Sequence, residues 1–515
     1  AQAIWSQTLH GPVWNTMLLG ASGVALSALI LSPVLVFAFS VVVLFCWLRL
    51  KPFSSTARHL LGKETIGFFH PFAAAGGGGE RVLWCAIQAV QQRYPEIECV
   101  VYTGDTDVAA AEIVEKAESR FGVRLKREVH FVYLSGRSWV EASTWPRFTL
   151  LGQSLGSVFL GWEALSLFRP DVYVDTMGYA FTLPLFAVMG RCQVGCYVHY
   201  PTISTDMLAR VRSRDVAVCN DSRVARSRLL STLKLVYYRI FAMLYGFAGR
   251  FAHIVMVNSS WTRGHIDALW RVPERTSTVF PPCDTAALAT LSLERPAKPD
   301  GSRRILSLAQ FRPEKDHALQ LRAFARFLKN VPKCQTESSS RVRLVLAGGC
   351  RDVHDRRRVD QLRELCRELG LRDAGELDDA GRELDWDVAF RLNVSLQEVR
   401  TLLNEADVGI HTMRDEHFGI SVVELMAAGA VVVAHDSAGP AMDIVTPLKG
   451  ACTGYLATDE ASYSSALQDI FALEPRQRLT VAAAGREAAC TRFTQEKFEQ
   501  TFVSDMVEPL RARDR

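Results

Sequence analysis

Two glutamates, Glu416 and Glu424, bracket a Phe-Gly-Ile turn in the stretch EHFGISVVELMAAG (416–429). Short apolar runs rich in β-branched residues flank it, ADVGIHT (406–412) before and AVVVAHDS (430–437) after. Both read as buried strands, with ISVVELMAA as a helix between them and Gly429 as its stop. The turn therefore lies at the carboxyl end of a strand, where open α/β sheets bind ligands. A helix start presents unpaired N–H groups and a positive dipole end, which suit a diphosphate. Phe418, Gly419 and Ile420 would supply those amides, and Gly419 lets the backbone approach without a side chain intervening. Glu416, before the turn, is placed to reach a sugar. Glu424, one turn into the helix, is placed to accept hydrogen bonds from ribose hydroxyls. The chemistry implied is recognition of a nucleotide that carries a sugar.

Other candidates lie further up the chain. GGGGERV (76–82) opens a helix with four glycines, and Gly77, Gly78 and Gly79 permit close phosphate approach. The dinucleotide fingerprint fails there, because its third glycine would fall on Arg81 or Val82, so a nicotinamide enzyme is disfavoured. QFRPEKDH (310–317) offers the cations Arg312 and Lys315, and His199 ends the strand in CYVHYPTIS. Asp105 and Asp107, in GDTD (104–107), have the spacing of a metal pair that bridges a diphosphate. With a cationic and glycine-rich apparatus already present, they read instead as solvated loop aspartates, and no metal or other cofactor is expected.

These residues need a scaffold. TIGFFHPFAAAGGGGERVLWCAIQAVQQRYP (65–95) reads as strand, glycine turn and helix. Further strands are expected at 97–105, 129–134, 171–176, 194–201 and 253–260. The polar stretch LERPAKPDGSRR (293–304) reads as a linker. The pattern then restarts at 304–311 and 342–349, followed by a charged insert (351–387) with no assigned chemistry. The expected fold class is α/β, two Rossmann-like parallel-sheet domains facing a cleft: residues 61–290, a linker at 291–304, residues 305–484, and a helical tail at 485–515.

The first 60 residues differ. Met17 to Leu48 carries no charge, and residues 25–48 are nearly all apolar, longer than the roughly 20 residues that span a bilayer. Arg49, Lys51 and Arg58 follow, which places the body on the cytosolic side of a single-pass anchor. The sequons at Asn220, Asn258 and Asn393 would then stay unmodified. A charge of +4 on 515 residues gives no sign of a nucleic-acid partner, and twelve scattered cysteines fit reduced, mostly buried thiols. In 209–257, Arg210, Arg212, Arg214, Arg223, Arg226 and Arg228 outnumber Asp215 and Asp221 ahead of a long aromatic helix. Three readings stay open for this region: contact with anionic headgroups, contact with a lipid pyrophosphate, or a core helix beside a solvated loop.

The Glu-x7-Glu motif at Glu416 and Glu424 resembles the signature of the family 4 retaining glycosyltransferases of GT-B fold. QFRPEKDH resembles that family's basic motif that grips the diphosphate, and GGGGERV resembles its amino-domain Gly-Gly-x-Glu-Arg loop. The resemblance implies that Glu416 contacts the donor sugar, Glu424 the ribose, and Lys315 the diphosphate. Gln310 stands where the family has arginine, so either Gln310 or Arg312 is left to reach the phosphate. It also implies that His199 lies near the reacting centre. Together, HPFAAAGGGGERVLW, FRPEKDH and EHFGISVVELMAAG are most similar to the GDP-mannose-dependent dolichol-diphosphate-oligosaccharide α-1,2-mannosyltransferases. The resemblance implies GDP-mannose as donor, a dolichol-diphosphate-linked Man3GlcNAc2 acceptor receiving its fourth and fifth mannoses, and the cytosolic face of the endoplasmic reticulum membrane. Other mannosyltransferases of that pathway are implied as partners. A related mannosyltransferase with another lipid acceptor, and a membrane-tethered binding scaffold, are the alternatives.

Overall fold

The computed structural model describes residues 62–513 except 215–225, 297, 299–300, 331–340 and 375–384. The expected anchor at 25–48, Arg223 and Asn220 lie outside the described residues. Among the described residues no helix is long and apolar enough to cross a membrane.

Two all-parallel sheets are present. The first holds β1 (Thr65–Phe69), β2 (Glu98–Thr103), β3 (His130–Tyr133), β4 (Val172–Asp175), β5 (Gln193–Val198), β6 (Ile254–Val257) and β7 (Thr276–Thr278), in the order β3-β2-β1-β4-β5-β6-β7. The second holds β8 (Arg303–Leu308), β9 (Val342–Gly348), β10 (Val388–Leu392), β11 (Val408–His411), β12 (Val431–His435) and β13 (Tyr455–Ala457), in the order β10-β9-β8-β11-β12-β13. The central strands are fully buried apolar runs, as strands covered on both faces must be. Sequence patterning did not reveal β7, β10 and β13, and all three sit at sheet edges with partly exposed side chains. An edge strand buries too little to need an apolar run.

Each sheet reverses its order at one place, between β1 and β4 and between β8 and β11. The carboxyl ends of those four strands carry His70, Thr176, the Gln310–Lys315 loop and His411. Such switch points open the crevices in which doubly wound sheets bind ligands.

The expected linker is corrected by the structure. Cys283 and Leu288 already pack in the core of the second lobe, so the chain crosses before the polar stretch begins. That stretch is fastened down: Arg295 donates to the carbonyls of Leu403 (3.4 Å) and Ala428 (3.1 Å), and Lys298 pairs with Asp407 at 3.0 Å. Buried carbonyls and a buried carboxylate recruit the cations whose presence suggested a solvated linker. From Gln495 the chain packs back on the first sheet, where Phe498, Phe502, Met506 and Leu510 join Ile66 and Phe68 in one core. Arg511 clasps Glu64 at 2.6 and 2.8 Å there. Of the nine described cysteines, seven are buried.

Candidate active site

On the second lobe, Lys315 and Glu416 meet directly. Lys315 Nζ donates to Glu416 Oε2 at 2.5 Å, and His411 Nε2 lies 3.1 Å from the same oxygen. Burial would raise the Glu416 pKa, but Lys315 and then His411 hold it well below the usual carboxylate range. The lysine loop is pinned from β11, since Thr412 Oγ1 donates to the carbonyls of Lys315 (2.9 Å) and Asp316 (3.0 Å). Arg312 sits apart from this node, half-exposed and 3.8 Å from Glu314. Gln310 is half-buried beside Gly349.

The turn after Glu416 has the geometry that its glycine suggests. Gly419 caps helix Ile420–Ala427 with φ +116°, in the left-handed region, and its carbonyl accepts from Val422 and Val423. The amides ahead of Val422 are the orphan donors of the helix start. Phe418 locks the turn by inserting between Phe280 and Phe493, with ring centroids 5.6 and 5.4 Å away. Gly429, at φ +83°, ends the segment while Ala430 N donates back to the Leu425 carbonyl at 3.0 Å.

On the first lobe the glycine loop is braced by a buried polar chain. Glu80 accepts from the amide of Gly77 and lies 3.4 Å from His70 Nε2; His70 Nδ1 is 2.8 Å from Thr176 Oγ1. His199 Nε2 is 3.0 Å from the Thr176 carbonyl. A carbonyl only accepts, so this nitrogen carries the proton and Nδ1 remains an acceptor. Burial, reinforced by His70, lowers the His199 pKa to about 4, and the ring is neutral at pH 7. Gly79 lies against both imidazoles, and a methyl group on Gly78 would sit 2.8 Å from Ile420 Cδ1 across the cleft. The loop thus faces the very helix start that is free to take an anion.

The structure corrects the reading of Asp105 as a solvated residue. It is buried, accepting from Ala74 N (2.9 Å), Thr103 Oγ1 (3.0 Å) and Arg137 Nη1 (2.5 Å), whereas Asp107 is exposed. Its carboxylate holds the β2 loop in place. Among the described residues no cluster of three or more His, Cys, Asp and Glu is gathered as a metal would need.

Several site residues escaped sequence reasoning: His70, Glu80, Arg81, Thr176 and His411. His70 and Thr176 follow the two strands at the first switch point, a signal available only once strand order is known. Arg81 is buried, with Nε and Nη2 lacking a hydrogen-bond partner, and its Nη1 lies 3.9 Å from Glu424 Oε1 on the other lobe. Burial raises the Glu424 pKa against the pull of Arg81. Other contacts join the lobes nearby. Ser260 N and Oγ donate to Asp443 at 2.9 and 2.5 Å, Arg210 pairs with Asp415, and the His417 ring stacks on Tyr200 at 4.7 Å.

Residues 63–270 match the family described as ALG11 mannosyltransferase N-terminus, and residues 291–487 match Glycosyl transferases group 1. A GDP-Man:Man(3)GlcNAc(2)-PP-Dol alpha-1,2-mannosyltransferase of Homo sapiens is 48% identical over 458 residues, 89% of each chain. The Dictyostelium discoideum protein of that name is 45% identical, covering 87% of this chain and 85% of its own. Among solved structures, a glycosyltransferase from Rickettsia africae superposes with a TM-score of 0.56 at 13% identity, covering 87% of this chain and 98% of that one. Anabaena Alr3699/HepE in complex with UDP and glucose gives 0.53 at 15%, covering 87% and 100%. These structures share the fold, two parallel-sheet lobes of GT-B type. With both lobes matched and such identity along most of its length, the chain belongs to the GDP-Man:Man(3)GlcNAc(2)-PP-Dol alpha-1,2-mannosyltransferase family.

Proposed function

We propose that this enzyme transfers mannose from GDP-mannose, in α-1,2 linkage and with retention, to dolichol-diphosphate-linked Man3GlcNAc2, adding its fourth and fifth mannoses. The observation that carries this reading is the Lys315–Glu416–His411 node facing the glycine loop and His199, in a chain of this family. The donor diphosphate lies at the start of helix Ile420–Ala427, against the amides of Phe418, Gly419 and Ile420 and the loop of Gly77, Gly78 and Gly79. Lys315 turns from Glu416 to the phosphates, with Arg312 as a second cation, and stabilises the charge growing on the leaving GDP. Glu416, freed of its lysine, accepts from mannose hydroxyls. Glu424 holds the ribose. His199 accepts through Nδ1 from a hydroxyl at the reacting centre.

With Glu416 assigned to the mannose hydroxyls and no carboxylate assigned as nucleophile, the reading is front-face attack assisted by the departing phosphate. The cations and amides meet the diphosphate charge without a metal. A membrane anchor at about 25–48 and a body on the cytosolic face of the endoplasmic reticulum follow from the charge placed after the apolar run. The test is transfer from GDP-mannose against UDP-sugars to a defined dolichol-linked acceptor, with and without chelator. Transfer from GDP-mannose alone, insensitive to chelator, is the expected result.

A further inference from the structure

His199 and Glu416 are each followed in the chain by a ring, and those two rings meet across the cleft. Tyr200 comes after His199 on the first lobe, and His417 after Glu416 on the second. Their centroids are 4.7 Å apart and their planes lie 8° from parallel. His417 also stacks on Trp261 of the first lobe, at 5.4 Å and 26°. Trp261 is backed in turn by His265, edge-on at 4.2 Å, whose Nδ1 lies 2.6 Å from Thr205 Oγ1. Tyr200 is 47% exposed and belongs to none of the packed cores. Its ring is therefore not there to fill the interior.

The turn that carries Glu416 is fastened on both sides. Asp415, at φ +58°, pairs with Arg210 of the first lobe, and its amide donates to Ser437 Oγ at 2.8 Å. The Glu416 carbonyl accepts from Gly439 N at 3.0 Å. The side chains at 415 and 417 thus both reach to the first lobe, while the Glu416 carboxylate between them stays with Lys315 and His411. Burial lowers the His417 pKa against the pull of Glu416, and the ring is neutral at pH 7. Stacked rings constrain the angle between their planes as well as their separation. Consecutive Cα atoms are only about 3.8 Å apart, so a shift of either ring is passed to the site residue before it.

We propose that Tyr200 and His417, buttressed by Trp261, form a clasp between the lobes that holds His199 and Glu416 in register across the cleft, and that both are positioning residues for sugar transfer. The roles of His199 and Glu416 rest on the proposed function; the clasp itself does not. Lys315, the turn amides and Glu424, which that reading gives to the donor, all stand on the second lobe, whereas His199 stands on the first. Loosening the stack leaves those donor contacts in place and lets the reacting centre drift. The clasp therefore acts on kcat and spares the donor KM.

Two measurements on the full chain test it. Tyr200→Leu and His417→Leu keep apolar volume but remove a ring, and Tyr200→Phe and His417→Phe keep a ring. On the dolichol-linked acceptor each leucine variant should lower kcat by about 10–100-fold, the range that a small misplacement of reacting groups costs. The donor KM should stay within about twofold, the double leucine variant should be little worse than either single one, and the phenylalanine variants should recover most of the rate. Hydrogen exchange supplies a readout that needs no activity. Tyr200→Leu should speed exchange of the amides at 414–418, on the opposite lobe, and Tyr200→Phe should not. An undiminished kcat, a fall in rate matched by a rise in donor KM, independent effects in the double variant, or unaltered exchange at 414–418 would overturn the proposal. If the unsubstituted enzyme transferred nothing from GDP-mannose, the functional reading would fail while the exchange still decided the clasp.

Discussion

The Arg81 guanidinium, carried by the first lobe, lies 3.9 Å from the Glu424 carboxylate of the second, with no hydrogen bond between them. The acid read as the ribose ligand therefore owes its countercharge to the opposite lobe. Asp284 also faces it, on the crossing segment, and works against ionisation. Arg486, on the neighbouring helix, is engaged with the carbonyls of Ala427 and Ala428. If Glu424 holds the ribose as proposed, donor binding and lobe apposition are coupled through this charge pair.

Removing that cation should make donor binding pH-sensitive. In Arg81→Met the Glu424 pKa rises further, so the carboxylate protonates as pH falls and loses acceptor capacity for ribose hydroxyls. The donor KM is expected to worsen several-fold from pH 8 to pH 6 in this variant and to stay nearly flat in the unsubstituted enzyme. Arg81→Lys should recover part of the difference, and Glu424→Gln should abolish the pH dependence. A flat profile in Arg81→Met would leave the arginine a purely structural role.

Lys315→Ala should lower kcat by about 10²–10³, the usual cost of one electrostatic stabiliser of a developing anion. It should also lower the Tm, because Glu416 keeps only His411 as a partner. Adding Glu416→Gln to Lys315→Ala should restore stability without restoring rate. Initial rates on the dolichol-linked acceptor and thermal melts separate the two effects, and undiminished turnover would remove the phosphate-gripping role.

His199 should make the fold acid-sensitive. Its pKa drops from 6.5 to about 4 on folding, so between those values the unfolded chain binds more protons. The contribution of neutral His199 is complete above pH 6.5 and is lost as pH falls toward 4, up to roughly 3 kcal/mol. Denaturant melts at pH 7 and pH 4.5 should show a smaller difference in His199→Gln than in the unsubstituted protein.

Gly419→Ala and Gly78→Ala should impair donor use for different reasons. The first forces φ +116° on a residue with a Cβ, costing about 1–3 kcal/mol or re-aiming the helix-start amides. The second places a methyl group 2.8 Å from Ile420 Cδ1, and a flexible isoleucine gives way. A large loss in kcat/KM for Gly419→Ala and a modest rise in donor KM for Gly78→Ala are expected in steady-state assays.

Sequence alone determined the fold class and one wall of the site. Buried parallel strands must be apolar throughout, so the central strands stood out, and the turn at Glu416–Ile420 could be placed at a strand end because its glycine, its capping position and its flanking strands are local features. The edge strands β7, β10 and β13 left no such mark, since half-exposed residues are under little compositional constraint. Tertiary structure alone decided which strand ends are neighbours. The switch points between β1 and β4 and between β8 and β11 bring together residues about a hundred positions apart, His70 with Thr176 and Lys315 with Glu416. It also decided that Asp105 is buried, that the polar stretch at 293–304 is a strap, and that Arg81 answers Glu424 across the cleft. Charges and hydrogen bonds act through space, and a chain records in its order only the partners that lie within a turn or two.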